Sequence, residues 1–130
     1  MANLTYKTHD VIIAHLAAAG AKVGLLTAEP SADGTGVVEP NVIYGYTRQA
    51  ATFGATARGV GADAGKSVIK TNVALVFGPA ATQAWPTVTH IGLFDADDDL
   101  IAYSPVGSPR TAPVGDAISF GAEAIVFKFR

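Results

Sequence analysis

The chain has 130 residues and a formal net charge of −2, with 49% hydrophobic but only 15% charged residues. A charged share below the ~25% typical of soluble domains favours a subunit of an assembly over a free monomer. The scattered Lys and Arg form no basic stripe for nucleic acid, the absence of cysteine excludes disulfides and thiolate metal sites, and no segment has the pattern of a signal peptide or membrane span.

One short amphipathic helix is predicted near the N-terminus, from about Thr8 to Ala19. We expect Thr8 to cap its start and Gly20 to end it in a left-handed conformation. Its apolar face is expected to consist of residues spaced three and four apart, namely Val11, Ile12, His15, Leu16 and Ala19. Residues 1–20 are therefore interpreted as an N-terminal segment with a helix.

From residue 21 onward, short apolar or alternating runs are separated by Gly, Pro, Asp and Asn, a pattern typical of β-sandwiches and barrels. The expected strands are Lys22–Thr27, Val42–Phe53, Val68–Phe77, Thr87–Phe94, Leu100–Tyr103 and Ala117–Arg130. The expected long loops are Ala28–Asn41, Gly54–Lys66 and Ser104–Asp116. The prolines at 105, 109 and 113 are expected to prevent regular pairing in the last loop.

These elements predict a mainly β protein: a single domain over residues 1–130, built as a β-sandwich or compact barrel with one short N-terminal α-helix. Residues 21–130 would form the β domain. The length of the chain is close to the commonest domain size, which supports one domain.

The segment Gly59–Ser67 ends in Gly-Lys-Ser, as phosphate-binding P-loops do. That motif needs a glycine where this chain has Val60. Ser67 is also followed by strand-like Val68 and Ile69, whereas a P-loop leads into a helix. A flexible surface loop is the better interpretation.

The acidic turn at Asp95–Asp99 alternates carboxylates as the start of a calcium loop does. Leu100 and Val106 stand where such a loop needs its glycine and its bidentate glutamate. The pattern favours a solvated hairpin turn in which Asp side chains accept hydrogen bonds from nearby amides. Weak calcium binding stays open as an alternative.

The three histidines predict no zinc site. His9 and His15 are six positions apart and project from different faces of a helix. His90 lies in an apolar strand, where a hydrogen-bonded structural role is favoured.

No pattern in the chain predicts enzyme chemistry. There is no Gly-x-Ser-x-Gly nucleophile turn and no cysteine nucleophile. We therefore predict a non-enzyme with no catalytic, cofactor-binding or metal-binding residue and no cofactor. Most aromatic residues fall in apolar runs and should pack in the core, but Trp85, beside Pro86, is a candidate for an exposed surface that stacks on sugars.

Five segments, in order along the chain, resemble segments of one protein family. They are Met1–Tyr6, Val23–Pro30, Tyr46–Ala50, Trp85–Ala96 and Gly115–Phe120. Together they resemble a family of small tailed-bacteriophage structural proteins, described as tail fibre or minor virion proteins. Two segments depart from the pattern of this family, namely Asp97–Asp99 and Gly59–Gly65. Both fall in loops, so they bear on the partners of the protein more than on its fold.

The resemblance implies a non-enzymatic structural component of a tailed-phage virion, made in the host cytoplasm and acting by multi-copy protein–protein association. Both a tail or tail-fibre position and a capsid decoration (cement) role stay open. The expected partners are major capsid or tail proteins and copies of the chain itself in a cyclic homo-oligomer, with no nucleic acid or membrane. The contact surface is expected in the glycine-rich loops and the helix.

Two other functions stay open as alternatives. A host-receptor or glycan-binding module of the tail would use Trp85 and loop tyrosines, and a buried Trp85 would count heavily against it. A cell-wall hydrolase ranks lowest, because it needs a cleft lined by converging carboxylates or histidines.

Overall fold

A computed structural model describes residues 4–17 and 20–130, except for the side chains of residues 16 and 17. One α-helix and nine strands are described, together with 3-10 turns at Val42–Tyr44 and Gly61–Asp63. The bounds are α1 Tyr6–Ala17, β1 Lys22–Leu26, β2 Gln49–Ala50, β3 Ala57–Arg58, β4 Ser67–Lys70, β5 Leu75–Phe77, β6 Trp85–Phe94, β7 Leu100–Ala112, β8 Ile118–Phe120 and β9 Val126–Phe129. The predicted mainly β class with one N-terminal helix is confirmed.

The strands form three antiparallel sheets, with the orders β2-β1-β6-β7, β3-β4-β9 and β5-β8. One buried apolar cluster contains side chains from all three sheets and Ile13 of α1. Phe77 of β5 and Ile69 of β4 are fully buried in it. Within the described residues, no helix is long and apolar enough to cross a membrane.

The helix begins earlier than predicted and packs a different face. Thr5 Oγ1, not Thr8, accepts a hydrogen bond from a first-turn amide, that of Thr8, at 3.4 Å. His9 and Ile13 are buried and Ile12 packs against the core, whereas Val11 is 62% exposed and His15 is exposed. Ile12 is thus confirmed on the packed face, and the predictions for Val11 and His15 are wrong. The predicted end at residue 19 and the side chain of residue 16 lie outside the described residues.

A polar contact with β4 lies on the packed face of the helix. His9 Nδ1 lies 2.8 Å from the hydroxyl of Ser67, which is fully buried in β4. Gly20 does take the predicted left-handed conformation, with φ +106°.

The predicted strand Val42–Phe53 is wrong over most of its length. Asn41 Oδ1 accepts a hydrogen bond from the Ile43 amide at 3.1 Å, and Gly45, at φ +87°, donates its N–H to Val42 O. This local side-chain bond competes with strand pairing and closes a 3-10 turn. Within the predicted range, Gln49–Ala50 pairs with β1, and Phe53 forms an isolated bridge.

Two other predicted strands are each divided between sheets. The predicted Val68–Phe77 becomes β4 and β5. The Thr71 amide still donates to Ile125 O at 3.1 Å, in register with β9, but the next amide, that of Asn72, donates to Thr52 O at 3.1 Å. The predicted Ala117–Arg130 becomes β8 and β9, with Glu123 at φ +66° in the turn between them. The short pieces close the core from several sides, which one long strand could not do.

The hairpin at Asp95–Asp99 is confirmed, but its second strand is much longer than predicted. β7 runs through Pro105 and Pro109 to Ala112, so most of the predicted loop Ser104–Asp116 is strand. Prolines are tolerated in edge strands and at bulges. β7 is the last strand of its sheet, and its register with β6 shifts around Val88.

The other predicted loops are closer to the structure. Ala28–Asn41 contains neither helix nor strand. Gly54–Lys66 is mostly exposed, but it contains the short strand β3 and a 3-10 turn, which the prediction of an extended loop missed.

Candidate association surface

A polar cluster joins Glu39 to Tyr46 and Arg48. Arg48 Nε and Nη2 donate to Glu39 Oε1 at 2.9 Å and Oε2 at 3.0 Å. The Tyr46 hydroxyl donates to Glu39 Oε1 at 2.8 Å and accepts from the Leu25 amide of β1 at 2.9 Å. The Arg48 guanidinium lies 3.6 Å from the centroid of the Phe94 ring. Bidentate pairing of this kind holds the loop that carries Glu39 against the sheet.

The surroundings of this cluster shift the pKa values of Arg48 and Tyr46. The hydrogen bonds to Glu39 raise the pKa of the Arg48 guanidinium above its usual value. Burial, and secondly the Glu39 carboxylate, raise the pKa of the Tyr46 hydroxyl well above its ordinary range. Tyr46 therefore stays protonated and keeps donating, so the cluster serves as scaffold.

Beside this cluster, Val42 and Ile43 form an exposed apolar tip, and they are called the tip below. Their exposed fractions are 70% and 67%. The backbone under them is anchored, because Tyr44 O accepts hydrogen bonds from Trp85 Nε1 at 2.7 Å and from the Ala81 amide at 2.9 Å. Branched side chains on a fixed turn lose little conformational freedom on contact, which suits an interface.

The tip was not predicted from the sequence, in which Val42 and Ile43 have the pattern of a strand. A signal was present, since Asn41 and Gly45 flank the pair as a cap and a left-handed stop would. The helix and the loops, where the sequence predicts the contact surface, also carry exposed apolar side chains. These are Leu4, Tyr6 and Val11 on or before the helix, and Val38, Val60 and Val114 in the three loop regions.

Trp85 is not an exposed platform. It is 4% exposed, and its ring packs edge-on against Tyr46 at 5.7 Å between centroids. Its indole N–H donates a hydrogen bond to Tyr44 O. The buried ring counts against a glycan surface built on Trp85.

The acidic turn has the geometry of a hairpin turn. Asp95 Oδ1 accepts hydrogen bonds from the amides of Asp97 at 2.9 Å and Asp99 at 3.0 Å. These bonds, that from Asp99 first, hold the pKa of the Asp95 carboxyl below its usual value. Asp98 Oδ1 forms ion pairs with Lys22 Nζ and Arg48 Nη1, at 3.2 Å each. No three His, Asp or Glu side chains converge as metal ligands anywhere in residues 4–17 and 20–130.

The histidines are apart, as the spacing indicated. His9 is buried against Ser67, whereas His15 is exposed, with Nε2 3.6 Å from Asp95 Oδ2. His90 Nδ1 lies 2.9 Å from Thr89 Oγ1. The buried His9–Ser67 pair had no signal in the sequence, because its members are 58 positions apart.

The glycine-rich segment has no phosphate-binding geometry. Ser67 opens strand β4 and is fully buried. Lys66 donates to Asp63 at 3.1 Å, and Lys128 donates to the same carboxylate at 2.8 Å. The two ammonium groups, Lys128 first, hold the pKa of Asp63 below its usual value. The loop is thus tied to β9.

A sequence model of the family described as podophage GP4 fiber I protein gp80 matches residues 13–128. The chain belongs to this family. This confirms the resemblance to tailed-phage fibre proteins and makes the protein a structural component of the virion. No curated protein and no solved structure matches the chain.

Within this fibre protein, the segments that carried the resemblance are largely scaffold. Tyr46 and Arg48 build the polar cluster, and the segment Trp85–Ala96 supplies β6, which lies between β1 and β7. Val88, Leu93 and Phe94 are almost fully buried in that strand. Partner contacts therefore have to be sought on the loops, the helix and the tip.

Proposed function

We propose that this chain is a fibre-associated subunit of a podophage tail that works in several copies, by contact with itself and with other tail proteins. The tip carries the proposal, since it presents two β-branched side chains to solvent on an anchored turn. Hydrophobic contact of this kind needs no titrating group. The low charged share of the chain, 15%, supports the same function.

The fibre position is favoured over capsid decoration by the description of the matched family. A glycan-binding module built on Trp85 is disfavoured by the burial of that ring. Hydrolysis of the cell wall ranks last, because among the described residues no three His, Asp or Glu side chains cluster together.

Antibody labelling of intact phage particles tests the position of the chain. Gold label at the tail fibres is expected. Label confined to the capsid would replace the fibre position with the decoration role. A chain found only in the infected lysate, and never on particles, would contradict both.

A double substitution tests the tip. Val42→Ser with Ile43→Ser should weaken association roughly tenfold or more, since burial of such side chains contributes about 1.5–3 kcal/mol each. Light scattering of the purified protein and immunoblots of purified particles measure this. Val76→Ser is the control, because Val76 is 53% exposed on strand β5 and belongs to none of the loops, the helix or the tip. Equal association of the double variant and the control would contradict a role for the tip.

A further inference from the structure

We propose that the groove between β7 and β9 binds an extended, acidic strand of another virion polypeptide. The proposal rests on the proposed function, because it names a binding site and a class of partner for the fibre subunit. The groove has a volume of about 330 Å³. It lies where the sheets β2-β1-β6-β7 and β3-β4-β9 approach each other without pairing.

The floor of the groove is apolar. Ile91, Phe120, Ile125 and Phe127 line it, and each of them is less than 9% exposed. The partly buried Val106 lines it from the β7 side. A narrow apolar floor between two strands suits alternate side chains of an extended chain.

Both walls of the groove are edge strands. Each ends its sheet, and in the described part of the chain their backbones pair only with β6 and β4. Pro105 and Pro109 limit pairing along β7, as prolines do on protected edges. The four residues of β9, Val126–Phe129, include no proline. β9 is therefore the edge to which a further strand can be added.

The charge of the groove selects an acidic partner. Its lining includes Arg110 and Lys128 but no Asp or Glu. The Arg110 guanidinium lies 4.4 Å from the centroid of the Phe120 ring and donates to Ser119 O at 3.0 Å. Among the described residues, no carboxylate forms an ion pair with Arg110, whereas Lys128 is paired with Asp63. Arg110 is thus a positioned cation that is free for an incoming carboxylate.

The same charges disfavour a second copy as the occupant. Edge-to-edge pairing of two copies at this groove would bring together two linings that, among the described residues, each contain the unpaired cation of Arg110 and no carboxylate. Like charges set against each other suppress association. Contacts between copies are assigned to the tip, and the groove is assigned to a different polypeptide.

The experiment titrates the purified full chain with short capped peptides and follows backbone amide NMR signals. The first peptide alternates Val with Glu, the second alternates Val with Lys, and the third is the Val-Glu peptide with alternate backbone nitrogens methylated. The first should shift amide signals of Val126–Phe129 and of Ser104–Arg110. The second should bind at least about threefold more weakly, which is the size of one partly exposed ion pair. The methylated peptide should lose binding, because it lacks the N–H donors of one edge.

Arg110→Gln removes the cation and its contact with the Phe120 ring but keeps every residue of the apolar floor, and it should weaken the binding of the Val-Glu peptide about threefold. Lys70→Gln removes the same charge from an exposed position of β4 outside the groove, and it should have no effect. Equal binding of the methylated peptide would overturn strand addition. Equal binding of the Val-Glu and Val-Lys peptides, or no shifts in β7 and β9, would overturn the acidic occupant.

Failure here is separable from failure of the proposed function. If the peptides do not bind but antibody still labels the tail fibres, the groove assignment is wrong and the fibre position stands. If the peptides bind but the chain is absent from particles, the proposed function is wrong.

Discussion

At the scale of single residues, Gly24 of β1 lies at the most crowded point of the polar cluster. A Cβ atom placed there would lie 2.6 Å from Glu39 Oε1 and 2.9 Å from both the Tyr46 hydroxyl and the Phe94 ring. No side chain fits without displacing the carboxylate that binds Arg48. The sequence showed a glycine inside a strand, but only the structure shows what approaches it.

Gly24→Ala should therefore destabilise the protein by about 1–3 kcal/mol, the usual effect of overpacking. Urea unfolding measures the change. Gly121→Ala is the matched control, because a Cβ there would meet no heavy atom within 4 Å. A Gly24→Ala variant as stable as the control would show that the side chains of the cluster can move aside without loss of stability.

Tyr46→Phe isolates the hydroxyl of the same cluster. It leaves the fully buried Leu25 amide without its acceptor, and an unsatisfied buried donor costs about 1–3 kcal/mol. The free energy of unfolding should fall by that amount. Tyr44→Phe should change it little, since no hydrogen bond to the Tyr44 hydroxyl is found among the described residues. Equal losses in both variants would assign the effect to ring packing.

At the scale of elements, Arg58 of β3 adds polar contacts that attach α1 to the sheets. Its guanidinium donates to Asp10 Oδ2 at 2.8 Å and to the Ser67 hydroxyl, and it lies 4.4 Å from the centroid of the Tyr6 ring. The hydrogen bond from Arg58 is the main reason that the pKa of Asp10 is below its usual value. The helix is therefore held by polar contacts as well as by Ile13.

Arg58→Ala should loosen the helix without unfolding the sheets. Amide hydrogen exchange in α1 should accelerate by about fivefold to tenfold, because local opening costs less once these contacts are gone. Exchange in β6 should stay the same. Lys7→Ala, an exposed cation of the same helix, serves as control. Faster exchange throughout the protein would mean that α1 and the sheets unfold as one unit.

Strands were predicted well where local patterns decide them and poorly where partners decide them. The hairpin of β6 and β7 follows from an apolar run, an acidic turn and a second run. The division of Val68–Phe77 does not, because it occurs where the Asn72 amide donates to Thr52 O, in another part of the chain. Pairing at such distances is set by the assembled core.

At the scale of the whole molecule, several carboxylates link stability to pH. The pKa values of Asp10, Asp33, Asp63 and Asp95 are all held below the usual 3.8, chiefly by hydrogen bonds to Arg58, Thr35, Lys128 and the Asp99 amide respectively. The folded state thus binds protons more weakly than the unfolded chain. Its stabilisation is complete above the unfolded pKa and is lost as the pH falls through the lowered folded values.

The unfolding midpoint in urea should consequently be flat near neutral pH and should fall steadily below about pH 4. Asp63→Asn combined with Asp95→Asn removes two of the linked carboxylates. That variant should be less stable at neutral pH and should lose less stability on acidification. A slope equal to that of the wild type would show that these two groups do not drive the acid response.

The sequence by itself determined the mainly β class, the N-terminal helix, the acidic hairpin turn and membership of a phage fibre family. All of these depend on local periodicity, turn residues and short motifs. The tertiary structure alone decided the exposure of Val42 and Ile43, the burial of Trp85, the helix face packed on Ser67 and the groove between β7 and β9. Each of these depends on which distant segments meet in the core, and local patterns do not specify that choice.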